Sequence, residues 1–143
     1  MRRRDREIAD FKDIVAIIDK CSIPHLGMVA DGRPYIVPLN FGFAARDGHL
    51  IFYFHAAKQG RKIDVLRRNP HVCFEMVCTA EVLGEGEACE WTMLYESVMG
   101  EGVIAWLEDP DEKRAAMASI MRQSGYEGVP LFDEKILART QLY

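Results

Sequence analysis

The chain has 143 residues, of which 49% are hydrophobic and 28% charged; it is expected to form one folded domain over 1–143, and disorder is excluded. Acidic residues outnumber basic ones 22 to 18, a net charge of −4, so no global basic field draws it to nucleic acid. No apolar run approaches a membrane span, and the basic start leads into Asp10-Phe11 instead of a signal-peptide apolar region, so no membrane partner and a cytoplasmic location are expected.

In chain order, Arg2, Arg3, Arg4 and Arg6, tempered by Asp5 and Glu7, read as a solvated end. Asp10 caps a predicted helix over FKDIVAIIDK, whose apolar face is Phe11, Ile14, Ile17 and Ile18; Ser22-Ile23-Pro24 ends it. HLGMVA, RPYIVPLNFGF and HLIFYFH are three predicted strands, joined by turns at Asp31-Gly32 and around Asp47-Gly48. Pro38 lacks a backbone donor and suits an edge or a bulge. His55 to Pro70 reads as a helix of about three turns stopped by the proline. HVCFEMV is a fourth strand, and Thr79 to Glu90 reads as a connection.

WTMLYESVMGEGVIAWL then reads as a long or bulged strand, with Gly100 and Gly102 permitting a bend or a close backbone approach. Asp109-Pro110 opens a second strong helix through DEKRAAMASIMRQ, broken at Gly125 and Gly128-Val129-Pro130. After a short Asp133–Leu137 segment, ARTQLY looks like the start of a strand, either a short edge or a chain that continues past Tyr143. Short antiparallel strands with inserted helices predict a mainly β fold closed as a small barrel. Cys21, Cys73, Cys78 and Cys89 show no metal-ligand spacing; they are expected to be reduced and structural, with Cys73 buried, and no metal is expected.

The chemistry concentrates after the aromatic strand IFYFH. Lys58, Arg61 and Lys62 fall in the predicted first turn or so of a helix, where free N–H groups already carry partial positive charge. A bound anion would offset that repulsion: Arg61 by a bidentate contact, Lys62 as a point charge. A merely wet basic face explains the residues equally well, and does so for Arg67 and Arg68 at the helix end. Asn40 could hydrogen-bond a polar ring edge, as could nearby backbone groups. No GxGxxG or GxxxxGK[ST] motif is present.

PYIVPLNFG, YFHAAKQGRKIDVLRRNPHVCFE and YESVMGEG, in this order over nearly the whole chain, resemble the FMN-binding split-barrel superfamily related to pyridoxamine 5'-phosphate oxidase. Within it, they resemble the flavin nucleotide-binding branch associated with nitroimidazole resistance. The resemblance implies a split β-barrel homodimer with FMN in clefts between subunits. Tyr35, Ile36, Val37, Pro38, Leu39 and Asn40 would line the isoalloxazine, and Phe54 and His55 would begin the phosphate side. Arg61 and Lys62 would hold the phosphate, with Lys58 second and Tyr95 approaching from the later strand. VPLN stands where the oxidase pattern ends in lysine, and the oxidase's C-terminal arginine and histidine are not recognisable, so pyridoxal phosphate synthesis is not expected.

The activity expected is reduction of a small aromatic or nitro compound by an external electron donor. His55, whose ordinary pKa is near neutral, is the catalytic candidate; a role fixing the strand end explains it as well. A non-catalytic FMN-binding or redox-sensing module, and a heme-binding split barrel using His55 as a ligand, are the alternatives.

Overall fold

A computed structural model describes residues 4–143; Arg2 and Arg3 of the basic start lie outside them. Helix α1 (Phe11–Lys20) begins where the sequence predicts, with Asp10 accepting the Lys12 N–H at 2.7 Å. Its C-terminal end is held from far along the chain. Gln123 Nε2 lies 3.3, 3.1 and 2.9 Å from the carbonyls of Ile18, Asp19 and Cys21. A helix end leaves its last carbonyls short of internal donors, and of these three that of Ile18 also accepts the Cys21 N–H at 3.0 Å.

Strands β1 (His25–Ala30) and β2 (Arg33–Pro38) form a hairpin, as do β3 (Phe41–Arg46) and β4 (His49–Ala57). Both turns are Asp-Gly pairs with positive φ at each residue: 52° and 74° at Asp31-Gly32, 51° and 78° at Asp47-Gly48. The single strand predicted over RPYIVPLNFGF is two strands in different sheets. Pro38, unable to donate to a ladder, ends β2, and the Leu39 N–H turns to the Pro24 carbonyl at 3.1 Å.

Helix α2 (Arg61–Arg68) is shorter than predicted, because His55–Ala57 finish β4. β5 (His71–Leu83) is longer, taking in residues expected to form a connection. It pairs with β6 (Thr92–Val103) throughout, and Thr79, at φ 45°, is skipped in a bulge between Cys78 and Ala80. Helix α3 (Pro110–Gln123) starts on Asp109, which accepts the N–H groups of Asp111 and Glu112 at 2.9 and 3.0 Å. A short α4 (Glu134–Arg139) leads into β7 (Thr140–Leu142). That last strand adds to β4 as an edge, pairing His55 with Leu142.

The result is a mixed α/β fold with two antiparallel sheets, ordered β2-β1-β5-β6 and β3-β4-β7. Among the described residues no ladder joins the two sheets, so the closed barrel expected from the strand pattern is not present. Leu26, Met28, Phe41, Phe54, Ile63, Leu66 and Met76 fill one core with Ile17 and Ile18 of α1. On the other side of β3, α3 lies so close to Gly42 that a Cβ there would collide with the backbone of Ser119 and Ile120. The Ser119 hydroxyl donates to the Phe43 carbonyl at 3.0 Å in the same contact.

Candidate functional site

Side chains alternate along a strand, so β4 turns successive residues to opposite sides. Phe54 is buried, packed against Phe52 and Tyr143 at ring-centroid distances of 6.5 and 5.8 Å. The next residue, His55, is half-buried and feels the charge of Lys62. A bend over Lys58–Gly60 then delivers the chain into α2. Lys58 is exposed in that bend, outside the helix whose first turn was predicted to contain it.

Gly60, at φ 135°, precedes α2 and offers no side-chain cap. The helix's own bonding begins with the Asp64 N–H donating to the Gly60 carbonyl at 3.1 Å. The N–H groups of Arg61, Lys62 and Ile63 precede that bond and have no intrahelical acceptor. The Arg61 guanidinium lies 4.5 Å from the centre of the Tyr35 ring, tying the helix start to β2. Among the described residues no carboxylate is within ion-pair distance of Lys58, Arg61 or Lys62.

Burial pushes the Lys62 ammonium below its ordinary pKa of 10.5. Burial, and then the neighbouring Lys62 charge, push His55 below its ordinary 6.5. At neutral pH its imidazole is therefore uncharged, an acceptor and donor of hydrogen bonds but no cation.

Tyr35, Val37 and Leu39 pack against the core, whereas Ile36, Pro38 and Asn40 are exposed. β2 is the edge of its sheet, so alternate backbone N–H and C=O groups of this segment point away from β1, unpaired. Arg61 thus lies on Tyr35, and the next residue, Lys62, lies close enough to His55 for its charge to act there. Tyr95 is not brought to them: exposed on β6, it lines a separate cleft of about 1040 Å³ that Phe54 also borders.

Three further groups stand apart from this surface. His25 Nδ1 and Glu75 Oε2 meet at 3.3 Å across β1 and β5. Cys73, expected to be buried, is exposed, because it faces outward beside Gly27. Tyr143 is buried with its hydroxyl unpartnered, and no motif marks it. All four cysteines are free thiols, and burial beside Cys78 pushes Cys21 up to about 12.

The architecture is that of a small mixed α/β protein built on two antiparallel sheets. Residues 10–142 match the pyridoxamine 5'-phosphate oxidase family, and the chain belongs to that split-barrel FMN superfamily. It is similar to a proposed 5-nitroimidazole antibiotic resistance protein from Bacteroides thetaiotaomicron, with 29% identity and a TM-score of 0.81 over 94% of this chain and 78% of that one. A FAD and heme binding protein from Mycobacterium smegmatis shares the fold at 18% identity and a TM-score of 0.74, over 94% of this chain and 65% of that one. A FAD-binding protein from Mesorhizobium loti does so at 22% identity and 0.60, over 94% and 86%. No curated protein matches the chain. Among the described residues no helix is long and apolar enough to cross a membrane, and no cluster of His, Cys, Asp or Glu is arranged to hold a metal.

Proposed function

We propose that the chain is an FMN-binding oxidoreductase that reduces a small aromatic or nitro compound with electrons from an external donor. The observation that carries the reading is the start of α2, where Arg61 and Lys62 stand beside free N–H groups with no carboxylate among the described residues to balance them. A half-buried lysine pushed down by desolvation regains its ordinary basicity when an anion joins it, so a phosphate fits this donor set. Arg61 would grip that phosphate while stacked on Tyr35, and the exposed Lys58 would add charge from the bend. The free edge of β2, from Tyr35 to Asn40, would meet the polar rim of the isoalloxazine through backbone groups.

Bound FMN would supply the exchange of electrons between donor and acceptor. His55, uncharged at neutral pH, would orient the phosphate side and could accept a proton or hydrogen bond there. The homodimer and the split barrel belong to the same proposal, with the second copy completing the FMN cleft. Tyr95 would reach that cleft from β6 and not from the α2 side.

Replacing both Arg61 and Lys62 by alanine is expected to abolish the yellow colour of the purified protein while leaving it folded. Full FMN affinity in a folded double variant would reject the phosphate site. Bleaching by a donor and recovery on adding a nitroaromatic would separate an enzyme from a silent FMN module. A tetrapyrrole reading is favoured only by the neutral imidazole of His55, and a heme absorption band in the isolated protein is its test.

A further inference from the structure

Two of the four free cysteines meet inside the molecule. Cys21 ends α1, its N–H donating to the Ile18 carbonyl at 3.0 Å, and Cys78 stands on β5 immediately before the bulge. Far apart in sequence, they share one core, at 2% and 9% exposure, and a side-chain hydrogen bond joins their thiols. Cys78 Sγ also lies 3.7 Å from the carbonyl of Ile17 on α1. Cys73 and Cys89, by contrast, are exposed.

A cysteine that serves only as a small core hydrophobe packs among apolar groups. Cys78 does not. Its sulfur lies 3.7 Å from Glu96 Oε2, which also accepts the Thr79 hydroxyl at 3.3 Å and the Lys20 ammonium at 3.0 Å. The Glu96 side chain is 34% exposed, so polar groups lead from Cys78 to solvent on one side. On the other side stands Cys21. One sulfur is therefore within reach of a small oxidant, and the second waits behind it. Burial, and then the neighbouring Cys78, push Cys21 up to about 12, which keeps it a thiol until the sulfur beside it is activated. The bulge also leaves Thr79, at φ 45°, out of the β5–β6 ladder. The strand thus has a point of give beside Cys78, where closing to an S–S bond of about 2.05 Å requires a small shift.

We propose that Cys21 and Cys78 are a reversible redox pair, which hydrogen peroxide closes to a disulfide stapling the end of α1 to β5. The Cys78 sulfur attacks one peroxide oxygen: an S–O bond forms, the O–O bond breaks, and the departing hydroxide takes up the thiol proton as water. The Cys21 sulfur then attacks that of Cys78, forming the S–S bond and breaking the S–O bond, and its proton leaves with the oxygen as a second water. Two thiols and one peroxide yield one disulfide and two waters, with two electrons passing from sulfur to oxygen. A dithiol reductant reopens the bond by exchange. Neither cysteine is among the residues proposed to hold FMN, and the inference does not depend on that reading.

The test treats the folded protein with hydrogen peroxide in a Cys73→Ser, Cys89→Ser background, which removes the exposed thiols. Both remaining thiols should be lost to a thiol-reactive dye added after denaturation, with intact mass falling by two hydrogen atoms. Dithiothreitol should restore both. Peptide mapping should find Cys21 linked to Cys78 within one chain, running as a monomer on a non-reducing gel. The same mapping on the unaltered protein decides the matter even if the double variant fails to fold. Survival of both thiols would overturn the proposal, as would Cys78 gaining oxygen while Cys21 stays free. Disulfides confined to Cys73 and Cys89 in the unaltered protein would overturn it too, because the buried pair would then be inert packing.

Discussion

Burial pushes both His55 and Lys62 towards their uncharged forms, and for His55 the neighbouring Lys62 charge adds to it. For His55 the folded pKa lies below the ordinary 6.5, so the unfolded chain binds more protons in that window. Its contribution to stability is therefore present above 6.5 and lost as pH falls through the lowered folded value. Denaturant unfolding of the FMN-free protein should show that loss, and His55→Gln should flatten it; an unchanged acid slope would show that other groups cause it. Lys62 carries the opposite implication at neutral pH, where its half-buried charge has no carboxylate partner among the described residues. Lys62→Met should raise the stability of the FMN-free protein by roughly 0.5–2 kcal/mol, within the range of stabilising changes that carry a functional cost. FMN binding should weaken by about tenfold or more in the same variant, the scale of one charge-assisted hydrogen bond. Loss of stability in Lys62→Met would show that the side chain is there for packing.

At the scale of elements, the contact between α3 and β3 turns on one missing side chain. Gly42→Ala should destabilise by about 1–3 kcal/mol, since a helix backbone yields less readily than a flexible side chain. Urea unfolding is the measurement, with a lowered midpoint at unchanged slope the expected result. A neutral outcome would mean that α3 can move away from the sheet without loss. How legible such elements were depends on where their determinants lie. Asp10 and Asp109 act within a few residues of themselves, so both helix starts could be read from local sequence. The start of α2 could not, because it depends on Gly60 adopting φ 135° and on β4 continuing through Ala57 to pair with β7. The break after Pro38 was hidden for a similar reason: apolar residues continue on both sides while the chain changes sheets. The outer half of β5 is mostly exposed and owes its strand form to its ladder with β6. Of the candidate site, the cations were legible as a cluster. Their geometry, with Arg61 on Tyr35 and Lys62 against His55, was not, since it joins residues that the fold brings together.

For the whole molecule, the outer face of the four-stranded sheet raises the question of a second copy. Ladder register places Ile36, Gly27, Cys73 and Glu101 in one row across the sheet, and Pro38, His25, Glu75 and Met99 in the next. Val29, Ile36, Met99 and Val103 are 51%, 63%, 76% and 65% exposed, an apolar surface of the kind that marks an interaction site. The His25–Glu75 pair lies within it, so two ionisable groups would enter an interface already matched to each other. β2 belongs both to this face and, through its free edge, to the proposed FMN surface, and self-association here would enclose a ligand lying along that edge. A stable dimer needs about 800 Å² from each partner, an area that one sheet face can provide. Met99→Glu places a charge in the second row and touches nothing proposed to bind FMN. Sedimentation equilibrium should show a dimer for the unaltered protein and a monomer for Met99→Glu, with FMN retention falling in step. A Met99→Glu protein that remains dimeric would move the interface to another surface. A monomer that keeps its FMN would separate cofactor binding from self-association, and would leave Arg61, Lys62 and the β2 edge as a site complete in one chain.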